Sequence, residues 1–465
     1  MTSLKKATVV YATGGLVAKS LLFLINPFLA TTLLPEVYGK ISVLIALNSF
    51  LIAVLPLGFN SSFTRLFFDG VDHNDRINIA GNIFYGWLIL GSLVLIGLLI
   101  LFKELSSILF NEIAFYPYVF YSTVGGFLFA VSVFLRSYYQ ITEKALKVVT
   151  IDIIDRILLF GLMLFSILVL GLELDSWLIA LLFTSGFLAI LTFYFFSSKL
   201  KFHFDLNILK KAWIYGSPMI LHTASGWVLS LSDRLLINSM MTASDVAFYT
   251  LPYSISQSLG LISHATGRGW IPRITKCYVE NKNYQSYYKK YIQITFVPLI
   301  TLGVFLVLFG NEFLDLFGGP EYLTQGSSIL PILISGFVFE GYYKVSVVKL
   351  QLEKRLKIIP LATLGSSLVN IVLNIVLIPQ YGILAAAIST LIGMSTLSFL
   401  TVYLSKTYIL FKEVFVKVLL IAVLVFILAS IASNLDLFFR ILMFSVLIII
   451  SVLIIRRIKD TNANN

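Results

Sequence analysis

The stretch Glu143–Val149 reads EKALKVV, and 210 residues later Glu353–Ile359 reads EKRLKII. Four of the seven positions are identical, and two more exchange Val for Ile. Each copy follows one long apolar run and leads into the next. The same shift lays VAFYTLPYSI (246–255) over EVYGKISVLI (36–45). Within one position it also lays Gly382 of YGILAAA (381–387) over Gly171 of LGLELDS (170–176). Lysine-rich loops can resemble one another by composition alone. A single offset holding at three places points instead to an internal duplication.

Composition says what is duplicated. The chain has 465 residues, 58% hydrophobic and 12% charged, with a mean hydropathy of +0.94. Soluble domains carry about 45–50% apolar and about 25% charged residues, so most of this chain has lipid as its solvent. An apolar run of about 20 residues crosses a bilayer as a helix. Such runs recur near 8–31, 41–62, 80–101, 116–138, 148–170, 177–197, 214–239, 246–267, 290–309, 327–348, 358–378, 382–404, 414–432 and 437–455. The first carries Lys19 and is long enough to span, so it reads as a retained helix and not a cleaved signal. The expected fold is an all-α polytopic membrane protein of about fourteen transmembrane helices. It divides into a six-helix lobe (1–200), a second six-helix lobe (201–408), and two further helices with a tail (409–465). Six crossings separate the two copies, so the repeat is parallel, an arrangement that builds transporters with a central cavity.

The basic residues give the orientation. With the N-terminus in the cytoplasm, the cytoplasmic segments hold 27 of the 34 Lys and Arg. The external loops hold Lys40, Lys103 and Arg440. This asymmetry is the positive-inside pattern, and it places both termini in the cytoplasm. Most of the net charge of +11 is therefore orientation, and nucleic acid is not an expected partner. The single cysteine, Cys277, forms no internal disulfide and reads as an incidental loop residue.

A charge near the bilayer centre costs about 2.5–3.5 kcal/mol on insertion scales and usually faces a cavity or a partner. Lys19 shares a polar, small-residue face with Ala12, Gly15 and Asn26. Asp152 and Arg156 are four apart and can pair on one helix face. His222, Gly226, Ser230 and Asp233 make a stripe, with Arg234 beside it. Tyr253, Gln257, Gly260, His264 and Arg268 make another; Glu340 with Lys344, and Ser367 with Asn370 and Asn374, add to the set. Together they read as the walls of a water-filled cavity with a basic tendency, from Lys19, Arg156, Arg234 and Lys344. Arg65, Arg136 and Arg268 would sit at its cytoplasmic mouth. Basic walls favour an anion such as a phosphate or pyrophosphate. Each feature also has a structural reading. Asp152 with Arg156, and Asp233 with Arg234, can be helix-bridging pairs. The helix-end arginines can snorkel to headgroups, and the histidines can simply bond neighbouring helices.

No GxxxxGK[ST] loop, HExxH motif or large polar loop rich in acids is present. An ATP-driven pump and an enzyme are both unexpected on this basis, and no cofactor is expected. The energy would come from an ion gradient, the membrane potential or the substrate's own gradient.

Several stretches resemble the polysaccharide biosynthesis family of flippases within the multidrug/oligosaccharidyl-lipid/polysaccharide exporter superfamily. They are NPFLATTLLPEVYGKISVL (26–44), LGFNSSFTRLF (57–67), LKKAWIYGSPMILHTASGWVLSLSDRLLI (209–237), SDVAFYTLPYSI (244–255) and LVNIVLNIVLIPQYGILAAAIST (368–390). The resemblance implies two six-helix lobes plus two helices, and alternating access. Its implied substrate is an undecaprenyl-pyrophosphate-linked oligosaccharide, such as an O-antigen unit, flipped across a bacterial inner membrane. Lys19 and Arg65 occupy positions where similar proteins place cations. In this reading Lys19, Arg156 and Arg234 hold the anion, and Arg65 and Arg268 guide it in. Asp233, His222 or His264 would couple H+ or Na+. The last two helices would border a groove for the lipid tail, and a polysaccharide polymerase is a possible partner. The alternatives are an ion-coupled multidrug exporter, a lipid II flippase, or a non-transporting component of an envelope assembly complex. Lipid II flippases open with a Gly-Gly-x-x-x-Arg pattern that Gly14, Gly15 and Lys19 echo only in part.

Overall fold

A computed structural model of the chain describes residues 25–200, 204–280, 283–407 and 435–460, with a few isolated positions between 408 and 434. Most of the first expected span, including Lys19, and most of the thirteenth lie outside the described residues. All the secondary structure of the described residues is helical. The helices are α1 (Pro35–Val54), α2 (Phe59–Leu66), α3 (His73–Glu104), α4 (Phe120–Ile141), α5 (Ala145–Leu168), α6 (Asp175–Lys199), α7 (Leu206–Met240), α8 (Ala243–Gln257), α9 (Leu259–Val279), α10 (Tyr284–Gly318), α11 (Leu330–Leu352), α12 (Ile358–Leu404) and α13 (Leu437–Asp460). Seven helical stretches are long and apolar enough to cross a membrane, and a short helix, Pro320–Gly326, bent by 62° against α11, makes an eighth. The other expected spans fall on helices that carry more charge or are broken. One is α5, with Asp152, Asp155 and Arg156. Another is the pair α8 and α9, interrupted at Ser258.

Local chemistry sets the ends and breaks. Pro35 opens α1 at a position where its missing N–H costs nothing. The Asp72 carboxylate caps α3 by accepting from the Asp75 amide at 2.8 Å, and Asp205 caps α7 through the Asn207 amide at 2.7 Å. The second span is broken at Leu55–Gly58, where Leu57 (φ 51°) and Gly58 (φ 71°) turn left-handed after Pro56. The break leaves carbonyls without helical partners at the end of α1, and the Trp87 indole N–H of α3 donates to that of Leu55, the capping residue, at 2.9 Å. The long helix α12 is two expected spans joined at Gly382, whose φ of 59° follows Pro379.

The chain forms two compact units. The first runs from Leu33 to Ala247. In it α1 packs on α4 and α7, α2 on α7, and α6 on α4 and α5. Its core is aromatic: Trp87 lies 4.5 Å from Phe134 and Phe84 lies 4.7 Å from Phe196, between ring centres. The second unit takes Asn26–Thr32 and the chain from Phe248 onward. In it α10 packs on α9, α11 and α13, and α11 on α12. Phe296 and Tyr342 meet at a tilt of 42° with centres 4.1 Å apart, and the buried Tyr288 hydroxyl donates to Val345 O at 2.7 Å.

The internal repeat is visible in the backbone, one residue away from the sequence register. Glu143 and Lys354 both have φ 57°, and Gly171 and Gly382 have φ 65° and 59°. Both pairs are 211 apart. The turn bonds match at the same spacing. Lys144 N donates to Tyr139 O at 2.8 Å, as Arg355 N does to Leu350 O at 2.8 Å. Glu143 N donates to Gln140 O at 3.2 Å, as Lys354 N does to Gln351 O at 3.2 Å. These are paired Schellman caps. The letters EKxLK align at 210 because lysine-rich turns match in more than one register, whereas the left-handed residue fixes the frame.

Candidate functional site

In the first unit, four charges gather where α4 meets α5. Arg136 of α4 donates through Nε to Asp152 at 2.8 Å and through Nη2 to Asp155 at 3.2 Å. Its Nη1 reaches Ser132 Oγ, and its guanidinium lies 5.0 Å from the Phe129 ring centre. Arg156 approaches Asp155 at 3.7 Å. This corrects the expected helix-face pair. Asp152 is taken from across the hairpin by Arg136, and Arg156 turns to its neighbour. Asp155 is only 3% exposed and holds two guanidinium groups, so the two arginines and two aspartates cancel. Arg136 is thereby a fully engaged hub and not an open residue at a cavity mouth. The sequence carried the signal: Arg136 and Asp152 stand eight residues either side of Lys144, the centre of the turn.

The other expected site residues of the first unit lie on α2 and α7. Arg65, on the exposed end of α2, is paired with Asp69 at 2.6 Å. Asp233 is fully buried and Arg234 is 5% exposed, with Nη1 donating to Ser230 O at 3.4 Å. His222 is half-buried about three turns earlier. Gly216 of α7 is where the backbone break of span two docks. A Cβ on Gly58 would stand 2.0 Å from Gly216 O, and Ser62 Oγ donates to Ala212 O at 2.5 Å.

In the second unit, His264 is exposed and Arg268 half-buried on α9. Lys344 pairs with Glu340 at 3.0 Å, and the pair lies over Gly260. Asn374 donates to Asn370 Oδ1 at 3.3 Å, with both residues fully buried. Two residues counted only for topology have structural work. Lys349 is 5% exposed, donates to Ser405 O at 2.7 Å at the end of α12, and lies 3.6 Å from Glu353. Arg440 ties α13 to α10 through Glu312 and through Leu308 O at 2.8 Å. Between α9, α10 and α13 lies an open-sided cavity of about 530 Å³, lined by Ile262, Leu302, Phe305, Phe444 and Ile448 among others. Its polar groups are Thr301, whose hydroxyl donates to Val297 O at 2.7 Å, and Ser451, whose hydroxyl lies 2.7 Å from that of Thr301. Among the described residues no group of His, Cys, Asp and Glu is arranged to hold a metal.

These helices define an all-α polytopic membrane protein with an exporter fold. Over 98% of this chain and 99% of the other, it matches the lipid II flippase MurJ in an inward-closed conformation, with a TM-score of 0.77 at 16% identity. It matches an inward-facing multidrug-resistance MATE transporter of the MOP superfamily over 84% of this chain and 94% of that one, with a TM-score of 0.67 at 16% identity. The chain belongs to the polysaccharide biosynthesis protein family, whose sequence profile matches residues 4–278. A MatE profile matches residues 218–376. A candidate O-antigen transporter of Shigella flexneri is 26% identical over 40% of this chain and 44% of its own length. A candidate low-salt glycan biosynthesis flippase of Haloferax volcanii is 23% identical over 43% of this chain and 42% of its own length. The chain thus spans less than half the length of the curated relatives it matches.

Proposed function

We propose that the protein is a flippase, a transporter and not an enzyme, that moves an undecaprenyl-pyrophosphate-linked oligosaccharide across a bacterial inner membrane by alternating access. The observation that carries this reading is the conjunction of family and fold. A polysaccharide-biosynthesis chain has the architecture of a lipid II flippase along nearly its whole length. A lipid-linked sugar presents an anion, a polar glycan and a long apolar tail. The second unit offers the tail a cavity of about 530 Å³, apolar apart from a hydrogen-bonded hydroxyl pair. Lys19, Arg156 and Arg234 are assigned to the pyrophosphate, and Arg65 and Arg268 to its entry. Asp233, His222 and His264 are assigned to coupling with H+ or Na+. Arg65 and Arg156 already have carboxylate partners, so they would bind the substrate by exchanging Asp69 and Asp155 for it. Both termini are assigned to the cytoplasm from the distribution of lysine and arginine.

The test is leaflet location. The gene is deleted, lipid-linked oligosaccharide is labelled from outside, and the strain is complemented. Loss of external label, restored by the wild-type protein and not by Lys19→Ala with Arg234→Ala, supports both flippase and basic site. Restoration by both discards the basic site. Normal label without the protein overturns the substrate, and a multidrug exporter is then tested by sensitivity to cationic drugs.

A further inference from the structure

The two Schellman turns leave a chemistry that the transport reading does not use. Each ends one helix and starts the next through a fixed left-handed residue, Glu143 or Lys354. Each then presents lysines around an exposed leucine. In the first turn these are Lys144 and Lys147 around Leu146, which is 68% exposed. In the second they are Lys354 and Lys357 beside Leu356, which is 55% exposed. None of the four lysines has an ion pair among the described residues. Lys147 rests 5.1 Å from the Tyr139 ring centre, which fixes its stem. The acids of the turns do not cancel them. Glu143 is a single exposed carboxylate, and Glu353 is engaged by Lys349 at 3.6 Å and Arg355 at 3.3 Å.

We infer that each turn is a docking site for the headgroup of an anionic phospholipid from the adjoining leaflet. The leucine enters the acyl boundary while the flanking ammonium groups reach the phosphate, the division of labour expected of amphipathic side chains at an interface. The Schellman cap matters because it fixes where the lysines leave the backbone, so little freedom is lost on binding. Each unit has one such turn, and the lysines and leucine recur at a spacing of 210, one position out of step with the left-handed residues, which lie 211 apart. The site takes a monoanionic phosphodiester, the chemistry of phosphatidylglycerol.

The experiment uses the full chain in mixed micelles of phosphatidylcholine and phosphatidylglycerol, with retained lipid read by native mass spectrometry. Wild type should retain phosphatidylglycerol in preference. An interfacial lysine contributes roughly fivefold in affinity. Lys144→Gln with Lys147→Gln should therefore weaken retention on the order of twentyfold, and Lys354→Gln with Lys357→Gln likewise. Lys→Arg at the same positions should restore it, which separates binding from misfolding. Leu146→Ser with Leu356→Ser should weaken retention with no change in charge. Unchanged retention in the four-lysine variant overturns the inference. So does an equal loss on removing the exposed Lys210 and Lys211, since net charge alone would then explain it. Displacement of the phospholipid from the turns by a pyrophosphate lipid at equal concentration would assign them to substrate and also overturn it.

Discussion

Arg136 and Asp155 face each other across the α4–α5 hairpin at 3.2 Å, and Arg136 is the residue that keeps a carboxylate 3% exposed from standing against Arg156 alone. One guanidinium covers two carboxylates and a serine because its donors form a fixed fork. Removing one member of a buried pair costs about 3–5 kcal/mol, because the other charge stays buried. Arg136→Met is therefore expected to lower stability by about 3 kcal/mol. Arg136→Lys should recover only part of it, since an ammonium cannot bridge both aspartates. Adding Asp155→Asn to Arg136→Met should recover more. Thermal and denaturant unfolding of the purified protein checks all three. Equal losses in the single and double variants would show that the pair is not the source.

Gly58 supports a second prediction. Its φ of 71° and a Cβ that would lie 2.0 Å from Gly216 O leave no room for a side chain. Both the conformation and the contact are penalised, and the partner is backbone that cannot rotate away. Gly58→Ala should destabilise by about 3 kcal/mol or more and reduce the folded yield. Gly161→Ala and Gly97→Ala, which meet nothing within 4 Å, should be neutral or slightly stabilising. If all three behave alike, the docking of span two on α7 is not as close as described.

The sequence made the fold legible because hydropathy and lysine asymmetry act on whole segments. The expected second to twelfth spans and the fourteenth each fall on described helices. Finer features depend on a single backbone angle. The repeated letters align at 210 and the left-handed residues at 211, since side-chain identity in a lysine turn says little about which residue is left-handed. The break at Gly382 agrees with the two spans expected at 358–378 and 382–404, since its backbone is non-helical and α12 is two helices meeting there. Site charges were legible as a set but not as partners. Helical spacing suggested Asp152 with Arg156, and the hairpin supplied Arg136, a contact that only tertiary packing creates. The role of Lys349 was hidden for the same reason, since its acceptor, Ser405 O, lies 56 residues away.

Glu36 gives a pH dependence of known sign. The hydrogen bond and charge of Lys40 hold its carboxyl below the ordinary value of 4.5. A depressed carboxylate stabilises the folded state above its unfolded pKa, and that contribution is lost as pH falls through the folded value. The unfolding midpoints of wild type and Glu36→Gln should differ by a small, constant amount at neutral pH and converge below pH 4.5. The pair is exposed, so high salt should shrink the difference. A gap that widens on acidification would reverse the sign.

The cavity between α9, α10 and α13 gives the prediction closest to function. Ile448 and Leu302 line it, and a Trp at either position would occupy the volume proposed for the apolar tail. Ile448→Trp should cut outward labelling of lipid-linked oligosaccharide about tenfold, the effect of roughly 1.4 kcal/mol. The hydroxyl pair separates a filled cavity from a damaged one. Thr301 and Ser451 meet at 2.7 Å, so Thr301→Val alone deprives Ser451 of a partner and should cost about 1 kcal/mol of stability. Replacing both, with Ser451→Ala, removes donor and acceptor together and should be close to neutral, leaving the cavity apolar and transport intact. Transport lost in the Trp variant at unchanged stability, and kept in the hydroxyl-free double variant, would mean that the cavity works as apolar space. Transport kept in the Trp variant would remove the cavity from the path of the tail and leave the Thr301–Ser451 bond as a clamp between α10 and α13.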